Sequence, residues 1–154
     1  MIPDRVVEVL RGPAFMHVGT RDAELHPAHA FAVGAIVSED RQAVTFFVPE
    51  IASGRILRDL RDNGRVALAV GLVSHEAYQL KGTCASSRPA DEQEVAFEEA
   101  HLAKLLTALR QLFPEEFATA LIRAIPCRPS VAITFRVEEV FLQTPGPGAG
   151  NKLA

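Results

Sequence analysis

"VTFFVPEIASGRILRDLRDNGRVALAV", residues 44–70, holds three patterns in one run. Val44, Thr45, Phe46, Phe47 and Val48 have the β-branched and aromatic content of a strand. Ile56, Leu57 and Leu60 then fall at i, i+1 and i+4, one narrow apolar stripe on a helix. Asn63-Gly64 supplies the left-handed residue that stops such a helix. Residues 65–73 are apolar almost throughout, as in a strand buried on both faces.

The helix carries Arg55, Arg58 and Arg61, and Arg65 follows it. Arg58, Asp59, Arg61 and Asp62 read as a solvated face, where an i, i+4 pair such as Arg58/Asp62 contributes ~0.3 to 0.5 kcal/mol. Ser53 is placed to cap the helix by accepting from a backbone N–H, which puts Arg55 in the first turn. There the macrodipole disfavours a cation by ~0.3 to 1 kcal/mol, unless an anion is shared between the side chain and the free N–H groups. Asp59 can pair with Arg55, but in the weaker orientation. Arg55 is therefore read either as a solvated cation or as part of an anion site with Ser53 and the helix start, and the second reading accounts better for its position.

Working outward, residues 14–22, 26–38, 43–49, 77–87 and 130–144 have strand character, with "RDAEL" as a hairpin connection between the first two. Residues 4–10 predict a short leading helix stopped by Gly12-Pro13. Residues 89–113 predict a long one that opens on Pro and acidic residues, and "PEEFATALIRA" predicts a shorter one behind it. Counting 65–73, six strands with hairpin-length links predict an α+β chain, mainly β, whose antiparallel sheet closes into a barrel. An open two-layer sandwich is the competing architecture.

The chain has 154 residues, 48% hydrophobic and 23% charged, the profile of one globular domain over 1–144 with a flexible Pro/Gly-rich tail at 145–154. A net charge of -3 without a lysine block argues against a nucleic-acid partner. The start breaks its apolar run with Asp4, Arg5, Glu8 and Arg11, and no later segment reaches membrane length, so a cytoplasmic protein with no membrane partner is expected. Cys84 and Cys127, far apart and without zinc-like spacing, read as reduced thiols.

His26 and His29 lie three apart on a strand and point to opposite faces, so no metal site is expected from them. His17, His75 and His101 show no ligand spacing. The phosphate-binding glycine loops and the Gly-x-Ser-x-Gly elbow are missing. Gln79 and Lys81 share a strand face, either as solvent-facing residues or as a polar pair that reaches a ligand.

The order of "GTRDAELHPAHAFAV", the segment 44–70 and "YQLKGTC" resembles the pyridoxamine 5'-phosphate oxidase-like, FMN-binding split-barrel superfamily over roughly residues 14–87. The resemblance implies a six-stranded split barrel and a homodimer with the flavin at its interface. It makes Ser53 and Arg55 the phosphate ligands, with backbone contacts from Val48 and Pro49. Ala28, His29, Ala30 and Phe31 would line the isoalloxazine ring, and Gln79 and Lys81 would be polar contacts, with Lys81 the candidate for tuning the flavin. Authentic oxidases carry an Arg and a Lys where this chain has Ala30 and Ala35, Tyr-Thr at Val48-Pro49, and Arg-Lys at Gly54-Arg55. The resemblance thus implies a generic FMN-dependent oxidoreductase acting on a small molecule, not a true pyridoxamine-phosphate oxidase. A non-catalytic module holding a flavin (FMN or FAD), a deazaflavin or heme is the alternative, with His17, His26 or His29 as the heme-ligand option; a cofactor-free dimerising barrel is a third.

Overall fold

In the computed structural model, which describes residues 1–154, the run at 26–38 makes two strands rather than one. β1 (Phe15–Arg21) and β2 (Pro27–Ala32) form the expected hairpin, and β3 (Ala35–Val37) follows after Val33 and Gly34. Gly34 has φ +75°, and a Cβ there would stand 2.8 Å from the Phe97 ring. Glycine takes that conformation at little cost, so the chain bends at this point. The strand count is accordingly seven, not six.

β4 (Ala43–Pro49), β5 (Arg65–Gly71), β6 (Ala77–Pro89) and β7 (Ser130–Leu142) complete one antiparallel sheet in the order β2-β1-β5-β6-β7-β4-β3. Its two end strands are the halves of the bent segment, and the Val33 N–H donates to the Phe47 carbonyl at 2.8 Å across the gap. The sheet thereby curls into the expected α+β split barrel, with a seam at Val33-Gly34. On β6 the register shifts after Lys81, where a Cβ on Gly82 would lie 1.8 Å from the Arg136 carbonyl oxygen. The bulge brings two backbones too close for any other residue.

α1 (Asp4–Arg11) and α2 (Glu50–Asn63) contribute Val6, Leu10, Ile56 and Leu60 to the barrel core, alongside Phe46, Leu68, Leu80 and Phe135. α3 (Glu92–Leu109) and α4 (Glu115–Arg123) form a second, smaller cluster with Val33. α3 opens on a capping box in which the Asp91 carboxylate accepts from the Glu94 N–H at 2.9 Å and Glu94 accepts from the Asp91 N–H at 3.0 Å. The tail, expected to be loose, turns back on β7: the Leu153 N–H donates to Val140 and the Gly150 N–H to Leu142, both at 2.7 Å. No helix is long and apolar enough to cross a membrane.

α2 begins four residues earlier than the sequence predicts. Pro49 occupies the N-cap and Glu50 supplies the acidic first turn, so Ser53 caps nothing. Its hydroxyl instead donates to the Glu50 carbonyl at 2.9 Å, and the residue is buried. Arg55 falls in the second turn, where the macrodipole has faded, and the dipole argument for an anion beside it does not hold. The helix ends as expected at Gly64, φ +68°, whose N–H donates to the Leu60 carbonyl.

Candidate functional site

β5 is not buried on both faces. Val66, Leu68 and Val70 point into the barrel, while Arg65, Ala67, Ala69 and Gly71 look out. The run reads as fully apolar because its outer residues are small, and that smallness shapes the site. Following the register across five strands gives one row, Phe31, His17, Ala69, Gln79 and Phe141, and beside it a second, His29, Gly19, Ala67, Lys81 and Glu139. Residues in register share a face, so these rows form an outer trough with a floor of glycine and alanine. One wall is aromatic; the other carries the Gln79 amide and the Lys81 ammonium. A cavity of about 430 Å³ in this trough is lined by Phe15, His17, Ala69, Gly71, Tyr78, Gln79 and Gln143, a size usual for small-molecule sites.

On the aromatic wall, His17 and His29 stack at 4.9 Å between ring centres, with the His17 Nδ1 2.8 Å from the His29 Nε2. Phe31 meets His17 edge-on at 5.1 Å. Burial, reinforced by repulsion from His29, holds the His17 imidazole below its usual pKa. The pair is thus poised to have one ring nitrogen donate and the other accept. Opposite, the Lys81 Nζ lies 4.6 Å from the centre of the Phe141 ring.

Of the residues that the sequence singles out, His29, Phe31, Gln79 and Lys81 meet on this face. Ala28 and Ala30 alternate with them and point into the core, as does Val48. Pro49 is buried where it leads into α2. Arg55 lies half-exposed, 3.5 Å from Asp22 in the β1–β2 hairpin rather than paired with Asp59. Asp59 is buried beneath β1, accepting from the Thr20 hydroxyl at 2.8 Å. His26 precedes β2, its Nδ1 3.2 Å from the same Asp22. Asp22, Glu24 and His26 hold ligand-type atoms within 4.8 Å of one another, but Asp22 is already shared between His26 and Arg55.

Two features escaped the sequence reading, the pairing of His17 with His29 and the burial of Glu98. His17 is placed beside His29 only by the hairpin register. Glu98, on what reads as an ordinary acidic helix, is fully buried between α3 and β7. The Ser130 hydroxyl donates to its Oε1 at 2.5 Å, while its Oε2 has no partner. Burial pushes this carboxyl up to about 7. Both cysteines are free; burial raises the Cys84 thiol and, helped by Glu98 and Glu99, pushes the Cys127 thiol up to about 11, so both are poor nucleophiles.

The split-barrel fold is shared with solved proteins of low sequence identity. HupZ from Group A Streptococcus is 20% identical, with a TM-score of 0.54 over 97% of this chain and 100% of that one. A candidate pyridoxamine 5'-phosphate oxidase from Lactobacillus delbrueckii is 16% identical, with a TM-score of 0.55 over 91% and 93%. An F420 reductase is 14% identical, with a TM-score of 0.55 over 90% and 98%. No protein-family model and no curated protein matches the sequence.

Proposed function

We propose that this chain is a homodimeric flavin-binding split barrel in which FMN lies in the trough, and that it works as an oxidoreductase on a small molecule. The observation that carries the reading is the trough itself. Its floor is Gly19, Ala67, Ala69 and Gly71, and a Cβ built on Gly19 would meet nothing nearer than 4.0 Å. A flat ring can therefore approach the sheet closely. When bound, the flavin supplies hydride transfer; the chain supplies position, exclusion of water and polarity at the ring edge. Phe31 and the His17–His29 pair would form the apolar side, His29 and Phe31 through their side chains, Ala28 and Ala30 through backbone alone. Gln79 would offer its amide and Lys81 a positive charge to the ring's oxygens and nitrogens. Arg55 keeps an exposed guanidinium for a phosphate, and Ser53 would have to leave its bond to Glu50 to join it, with Val48 and Pro49 fixing the backbone between barrel and helix. A second copy, stacked on the open face, would close the site.

The test is the absorbance spectrum of the purified protein, a titration with FMN, and the mass in solution. Flavin bands or saturable FMN binding by a dimer are expected. A colourless monomer that binds no added FMN sinks the reading. The fold that an F420 reductase shares supports a deazaflavin as a variant of the same reading. The two imidazoles at the trough edge favour one rival, a non-catalytic heme module; a heme band lost in both His17→Ala and His29→Ala would establish it.

A further inference from the structure

At the end of the trough away from Phe15, the same face opens into a second cavity of about 350 Å³ that shares Gly19, Ala67 and Lys81 with it, and three of its seven lining residues are Arg21, Arg65 and Lys81. They come from three strands, β1, β5 and β6. No acidic residue lines the cavity. None of the chain's ion pairs involves Arg21 or Lys81. Arg21 donates only to the Asp22 backbone oxygen, at 3.3 Å. Arg65 is partly answered by Glu138 at 2.9 Å and by Thr83 at 3.1 Å. Glu139, in register with Lys81, is taken by Lys152 at 3.1 Å. Gathering three cations of which only Arg65 has an acidic partner costs electrostatic energy, the more notable in a chain whose net charge is -3. An anion seated among them removes that cost, and arginine forks suit phosphate and carboxylate oxygens.

We infer that Arg21, Arg65 and Lys81 form an anion subsite on the open sheet face, taking the phosphate or carboxylate of a ligand whose flat part lies in the adjoining trough. This subsite is distinct from Arg55, which sits on α2 across the β1–β2 hairpin and is engaged by Asp22. The inference rests on the trough being a ligand site. A flavin's own phosphate and an acidic substrate offer the subsite the same chemistry.

The test compares wild type with Arg21→Gln/Lys81→Gln and with Arg55→Gln. Each is titrated with FMN and with riboflavin, which lacks the phosphate, and each is melted with and without inorganic phosphate. If the anion is the flavin's, wild type prefers FMN over riboflavin, and the double variant lowers FMN affinity at least about tenfold more than it lowers riboflavin affinity, so the preference is lost. If it belongs to a substrate, FMN and riboflavin bind alike, and phosphate raises the Tm of the flavin-loaded wild type but not of the double variant. A preference for FMN and a phosphate response that both survive the double variant overturn the inference and leave the flavin reading intact. A phosphate response that depends on these residues in a protein binding no flavin does the reverse. With neither flavin nor phosphate bound, both fall. Arg21→Lys/Lys81→Arg, which keeps both charges, should restore binding; its failure to do so, with the fold intact by circular dichroism, also counts against the inference.

Discussion

Replacing Glu98 by glutamine should stabilise the protein, and by an amount that depends on pH. The carboxyl is fully buried with one oxygen unpartnered, and burial raises its pKa from the ordinary 4.5 to about 7. A raised carboxyl pKa means that the folded state holds a proton the unfolded state has released. Between pH 4.5 and 7, stability therefore falls as pH rises, and above pH 7 the loss levels off. A gap of that size corresponds to at most ~3 kcal/mol. The glutamine side chain keeps an oxygen for the Ser130 hydroxyl and carries no charge, but buries an amide N–H₂ without a partner, at a cost of ~1 kcal/mol or more. The variant should thus be close to wild type near pH 5 and ahead by roughly 1 to 2 kcal/mol at pH 8, about 3 to 8 °C in Tm. Urea unfolding of both proteins at pH 5, 6, 7 and 8, followed by circular dichroism, measures the difference. His17 and His101 also titrate away from their usual range, but they are common to both proteins and cancel. A difference that stays flat from pH 5 to 8 would refute the reasoning, because an unperturbed carboxyl makes the same contribution throughout that range.

Three further outcomes follow from the geometry. Gly19→Val should leave the Tm unchanged or raise it, since the position is open and a β-branched residue suits a strand, while FMN affinity drops more than about tenfold as the trough floor fills; a folded variant with wild-type affinity would place the ligand elsewhere. Gly82→Ala should lower stability by at least ~2 kcal/mol, because the new Cβ meets the Arg136 carbonyl at 1.8 Å, and a urea midpoint within error of wild type would contradict the bulge. Asp91→Ala should lose ~1 kcal/mol from the cap of α3, measured the same way, and should also loosen the Arg88 clamp on Glu94, so a neutral result would speak against the capping box.

The strands were legible because alternation and β-branched content leave a local trace; β4 runs over Ala43–Pro49, the span that the sequence predicts. The bend at Gly34 left none. A glycine inside an apolar run has no sign that marks its φ, and the Phe97 ring that leaves no room for a Cβ there lies far along the chain. At α2 the misreading was a choice between two capping signals. Ser53 resembles a cap, but Pro49 followed by Glu50 stands one turn earlier and also begins a helix well. In the candidate site, His29, Phe31, Gln79 and Lys81 could be read as outward-facing from alternation within their own strands. Arg21 and Arg65 could not be joined to Lys81, because their meeting depends on which strands become neighbours and in what register.

The seam at Val33-Gly34 has a consequence for how copies of this chain can meet. A sheet ordinarily ends in two strands whose unpaired backbone groups invite another chain to extend it. Here the two terminal strands are halves of one bent segment turned toward each other, with β2 lying against β4 and the Val33 N–H already spent on Phe47. Growth by adding strands is blocked where it would begin. Any pairing of copies would then use the broad face of the sheet rather than its end strands.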